Sequence, residues 1–140
     1  MKEFMFYIRN KKDAKESLTT EEHLEFIKKC EEYIRNLKAK DQLIAAQPMM
    51  REGYVISFTD KQWIRTDISS YRDVQVGYYH ILANDLDEAI RIAMENPEFE
   101  YVPSASIEVR PVKTREIETG FVYPTEGRME ELTWKHNGQH

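Results

Sequence analysis

A single cysteine, Cys30, is all the thiol the 140 residues carry. It excludes an intramolecular disulfide and a multi-cysteine zinc site, and it fits a reducing compartment. No apolar run approaches the roughly 20 residues that cross a bilayer. The first dozen residues alternate and carry charge throughout, so they read as a strand rather than a leader. The expected location is therefore the cytoplasm, with no membrane partner. Basic charge is short as well: 20 Lys and Arg stand against 25 Asp and Glu, a formal net charge of -5. Lys11, Lys12 and Lys15 are offset by Asp13 and Glu16. That balance lacks the basic footprint of a nucleic-acid binder, and no nucleic-acid partner is expected. There is no glycine-rich phosphate loop and no Gly-x-Ser-x-Gly elbow. His136 and His140 are four apart but sit in a polar tail and read as solvated, so no metal and no cofactor is expected.

What is present is an ordinary globular composition, 41% hydrophobic and 32% charged, in a length suited to one domain with a modest core. Phe4, Phe6 and Ile8 alternate with Met5, Tyr7 and Arg9, the period of a strand with at least one buried face. Residues 10–19 are polar and read as a loop. Thr19 with Glu22 three residues on is a capping box that predicts a helix starting near Thr20 and ending near Lys40. At about 100° per residue, His23, Phe26, Ile27, Cys30, Tyr33, Ile34 and Leu37 share one face of it, an apolar stripe aimed at a sheet. Residues 43–46 are a short apolar run of strand length, which Pro48 interrupts or marks as an edge. Residues 54–58 and 62–66 flank Thr59-Asp60-Lys61 as a hairpin. Residues 67–73 read as a loop and 74–83 as a strand rich in β-branched and aromatic side chains. Asp85 with Glu88 caps a second helix, whose stripe of Leu86, Ala89, Ile90, Ala93 and Met94 is stopped by Asn96-Pro97. Residues 106–112 alternate as a closing strand. Beyond Lys113 the pattern weakens. Phe121-Val122-Tyr123 would make a short strand, and the remainder is polar with isolated Met129, Leu132 and Trp134.

This order predicts an α+β domain over residues 1–113, built as a ferredoxin-like β-α-β-β-α-β unit. Its sheet should be mostly antiparallel, with both helices on one face. Residues 114–140 form an arm expected to pack on the domain or on a partner. The second sheet face needs cover, which in so short a chain points to a homodimer, with Phe4, Phe6, Tyr79 and Ile81 among the groups left to be covered.

Four segments carry a family resemblance. They are Gly77-Tyr78-Tyr79-His80-Ile81, then Asp85-Leu86-Asp87-Glu88-Ala89-Ile90, then Pro97, then Ile107-Glu108-Val109-Arg110-Pro111-Val112. Together they resemble the second half of a YCII-related (DGPF-type) domain, and the last is the most specific. The first half is similar more loosely, through His23 with Leu24 and Phe26, Gln47-Pro48, and Thr66-Asp67. Where the Gly-Pro-Phe of that family should follow, this chain has Ile68-Ser69-Ser70, and the loop to Gly77 is short. The resemblance implies a dimeric α+β barrel with a cleft between the first helix and the sheet. It also implies an acid–base pair, which falls here on His23 and Asp67, and small-molecule chemistry of the lyase kind.

Each candidate residue has two readings. His23 near the helix start is either a general base facing a cleft or a core-edge histidine with one hydrogen bond. Asp67 either orients it or caps a local turn. Arg110 either grips a carboxylate with its planar fork or pairs with Glu108 along the strand. His80 and Tyr79 either line a ligand pocket or pack in the core, and Trp63, Tyr71, Tyr78 and Tyr79 form either a stacking surface or ordinary core and interface. Cys30 reads as a small apolar filler. With no cofactor motif, an enzyme built on these residues would be a lyase or isomerase using His23 as base. The alternative is a non-catalytic dimeric module that binds a ligand or a protein.

Overall fold

Thr19 caps α1 (Thr20–Ala39) by the predicted box: its hydroxyl accepts from the Glu22 N–H at 3.1 Å, and the Glu22 carboxylate accepts from the Thr19 N–H at 3.1 Å. The computed structural model describes residues 1–11 and 17–124. Around α1 run β1 (Lys2–Lys11), β2 (Leu43–Pro48), β3 (Tyr54–Thr59), β4 (Gln62–Asp67), β5 (Asp73–Ala83), α2 (Leu86–Met94), α3 (Glu98–Tyr101) and β6 (Ser106–Pro111). Four strands form one sheet in the order β2-β5-β1-β6, with each pairing antiparallel. This is the ferredoxin-like α+β arrangement, with the separate β3–β4 hairpin inserted between β2 and β5.

The period of two in β1 decides which face is buried. Phe4, Phe6, Ile8 and Asn10 are buried, while Met5, Tyr7 and Arg9 between them are half-buried. Tyr33 and Leu37 of α1 and Ala89 and Ala93 of α2 join Phe4, Phe6, Tyr79 and Ile81 in one core cluster. The four groups expected among the uncovered ones therefore lie under the helices. The face left open carries Met5, Tyr7, Tyr78, His80 and Leu82, each half-buried. The sequence shows alternation, but it does not say which phase the helices take.

The register of β1 on β5 slips between Ile8 and Arg9, so Val76 is the extra residue of a bulge. Beside it, Gly77 lets β2 come close: a Cβ there would lie 3.2 Å from the Gln47 carbonyl oxygen and 3.5 Å from the Pro48 Cα. Both obstacles are backbone and cannot rotate away. Gly77→Ala is expected to cost about 1–3 kcal/mol by overpacking, read as a lower denaturant midpoint at unchanged slope.

The hairpin stands apart. Its strands pack chiefly on each other, and every residue of both except Thr66 is exposed. Asp60 and Lys61 take φ values of 52° and 63° at its turn, the primed geometry that matches strand twist. Arg51 fastens its base, donating to the Asn10 side chain and, at 3.0 Å, to the Lys11 carbonyl. After β6, an isolated bridge joins Arg115 to Val122, so Phe121-Val122-Tyr123 makes one bridge rather than a strand. Met129, Leu132, Trp134, His136 and His140 lie outside the described residues, as do Lys12, Asp13, Lys15 and Glu16.

Candidate functional site

α1 carries two apolar rows. Phe26, Tyr33 and Leu37 point into the core and are buried. One position aside, His23, Ile27, Cys30 and Ile34 form a second row at heptad spacing, and this row walls a cleft of about 390 Å³ between α1 and the sheet. The facing wall is the end of β2 (Ala46, Gln47 and Pro48) with Val76, Gly77, Tyr78 and Tyr79 of β5, and Ile8, Phe26, Glu31 and Glu98 also line it. The bulge at Val76 and the missing side chain at Gly77 thus shape its floor. Such a mostly apolar hollow with a few polar groups is the usual form of a small-molecule site.

The five residues singled out from the sequence fall in three places. His23 and Tyr79 line the cleft. His23 stands at its rim, since Thr19 through Glu25 are all exposed; Tyr79 lies deep and is 7% exposed. Asp67 ends the hairpin, accepts from the Ser69 N–H at 2.9 Å and caps a single 3-10 turn at Ile68–Ser70. It is not part of the cleft lining, so the cleft does not bring the anticipated His23–Asp67 pair together. His80 and Arg110 both sit beside Met5, on opposite sides of β1, and so belong to the open face. His80 Nε2 lies 2.8 Å from the Glu3 carboxylate, and the exposed Arg110 lies 3.5 Å from the Glu108 carboxylate. The four aromatics do not make one surface either. Tyr78 and Tyr79 face opposite sides of the sheet, and Trp63 packs on Phe58 at 4.9 Å between ring centroids out on the hairpin.

Two carboxylates line the cleft, Glu31 at an exposed position of α1 and the buried Glu98, and sequence reading passed over Glu98. It is 4% exposed. α3 places it: its backbone N–H donates to the Asn96 side chain at 2.9 Å, and the helix is pinned to α1 by Lys29, whose ammonium lies 2.7 Å from Glu100. Glu100 in turn holds that ammonium above its ordinary titration range. The only sequence signal for Glu98 is an acidic residue directly after Asn96-Pro97, which also fits a plain helix stop.

Two phenols underlie the cleft. The Tyr33 hydroxyl donates to the Ile92 carbonyl at 2.6 Å, and its ring meets Tyr79 edge-on at 5.5 Å. Burial pushes both hydroxyls well above the ordinary tyrosine range. The neighbouring Cys30 and Glu98 add to the rise at Tyr79, and the Asn96 amide opposes it. They are neutral donors at any physiological pH and serve as structure. No group of His, Cys, Asp and Glu suited to a metal ion occurs among the described residues.

No curated protein matches the chain. The pattern of the YCII-related domain matches residues 5–116. That span runs from within β1 to beyond β6 and takes in every wall of the cleft, and with it the chain belongs to the YCII-related domain family.

Proposed function

We propose that the protein binds a small molecule in the cleft between α1 and the sheet, and that it does so as a homodimer. The cleft itself carries this reading: it is largely apolar and bounded by backbone that Gly77 brings close. A volume of about 390 Å³ suits a compact ligand. A second copy is the natural cover for two surfaces that a lone chain leaves wet, the open sheet face and the exposed hairpin.

One observation favours a catalytic version. His23 and Glu98, a rim imidazole and a buried carboxylate, line the same cleft, so a ligand between them would meet two proton-transfer groups. In that version His23 acts as general base in a cofactor-independent lyase or isomerase, and Glu98 takes the place that the family resemblance assigns to Asp67. The non-catalytic binding module uses the same walls without proton transfer.

Filling the cleft tests the binding reading. Ala46 lines it from β2, and Ala46→Phe would occupy much of its space. An aromatic fragment set should raise the melting temperature of the wild type and leave the folded variant unmoved. Equal shifts in both proteins would place binding elsewhere.

A further inference from the structure

The core uses only part of the apolar stripe of α2. Ala89 and Ala93 are buried. Leu86, Ile90 and Met94, spaced i, i+4 and i+8 on the adjoining face, are exposed, Met94 to 71%. Met94 leads into an open groove of about 540 Å³ between α1 and the turn from α2 to α3, where Phe99 adds an exposed ring. Glu32, Glu95 and Glu100 also line the groove. Among its described lining residues they face one cation, Lys29, which Glu100 holds at 2.7 Å. An apolar row running into an acidic groove is the mark of a covered surface. We infer that its occupant is residues 125–140 of the same chain, docked through Met129, Leu132 and Trp134. The chemistry matches: three large apolar groups fall within six residues, and Lys135 follows at once. The path matches as well. The Tyr123 N–H donates to the Thr114 carbonyl at 2.8 Å, and the Val112 N–H to the Glu3 carbonyl at 3.0 Å. The described chain therefore reaches Pro124 beside the start of β1. Lys2 there pairs with Ala83, three residues before Leu86. The row from Leu86 to Met94 is about 12 Å long, and the five steps from Met129 to Trp134 span up to about 17 Å. The segment thus runs along α2 in chain direction. Met129 meets Leu86, Leu132 meets Ile90, and Trp134 enters between Met94 and Phe99 as a thioether and ring contact. Lys135 is left among the groove's carboxylates. Tethering holds the segment at a local concentration of about millimolar, so a contact of this size suffices.

Tryptophan emission decides it. Trp63→Phe in the 140-residue chain leaves Trp134 as its one tryptophan. Its emission should lie to the blue of that of a synthetic peptide of residues 125–140. Acrylamide should quench it about 10-fold less than the peptide, the margin of a docked population over a free one. Adding Ile90→Glu with Met94→Glu, both at exposed positions, should return emission and quenching to those of the peptide. Leu132→Ser, which alters the segment and leaves α2 as it is, should do the same. Peptide-like emission in the Trp63→Phe parent would overturn the inference. So would shielding that survives the changes on α2, which would place the segment on another surface. Shielding lost on dilution of the protein would assign the segment to a second copy and overturn docking within the chain.

Discussion

Replacing Phe58 and Trp63 together by serine is expected to turn the proposed dimer into monomers at micromolar concentration. Trp63 is 73% and Phe58 58% exposed, and they share one hairpin face with Tyr54 and Ile56. Arg65 lies over the Tyr54 ring at 4.5 Å on that face. An isolated two-stranded hairpin is at best marginally stable in water, and one with this much uncovered ring surface needs a surface to lie on. The uncovered sheet face of a second copy offers Met5, Tyr7, Tyr78 and Leu82. Aromatic anchors at interface centres cost about 2 kcal/mol or more each when truncated. The double variant should therefore weaken association by about 1,000-fold or more. Light scattering reads the mass directly. A wild type that already has the mass of one chain, or a variant still dimeric at micromolar concentration, would count against the second copy. Circular dichroism should be nearly unchanged in the variant, since the hairpin adds nothing to the core cluster.

Above about pH 10, the ordinary tyrosine range, stability should fall steeply, and Tyr33 and Tyr79 should account for much of the fall. Burial raises both groups in the folded protein. The unfolded chain releases those two protons near the ordinary value, whereas the native state keeps them. The native state thus binds more protons in this window, and unfolding free energy declines as pH rises. Below the ordinary value both states are protonated, and the contribution is flat. Each phenol adds a slope of about 1.4 kcal/mol per pH unit. Tyr33→Phe loses the bond to the Ile92 carbonyl, which should cost about 1 kcal/mol at neutral pH. Its alkaline slope should be shallower by one phenol. Urea midpoints against pH measure both effects, and equal alkaline slopes in wild type and variant would show that Tyr33 titrates normally when folded.

The elements were legible where a local rule was strong. Thr19 and Glu22 fix the start of α1, Asp85 caps α2 through the Glu88 N–H, and β3 and β4 flank the turn at Asp60 and Lys61. α3 was not legible: four residues after a proline give no periodicity to read, and its place depends on Lys29 reaching Glu100 from another helix. Glu98 was missed for the same reason, because burial of a carboxylate is a tertiary fact. His23 lies on the stripe and lines the cleft, but the first turn of α1 is exposed throughout, which leaves it at the rim. For His80, alternation along β5 was correct, but its phase was set by the bulge at Val76 and by which face the helices cover. Neither is written in the strand itself.

The central claim, that the space between α1 and the sheet is the ligand site, is tested most directly by mapping amide chemical shifts of the 140-residue chain as an aromatic fragment that raises its melting temperature is added. The account predicts saturable shifts concentrated at Ile27, Cys30, Ile34, Ala46 and Gly77, which wall the cleft. Met5, His80 and Arg110 on the other face of the sheet should stay unmoved. Shifts gathered on that open face, or spread without saturation over the surface, would contradict it.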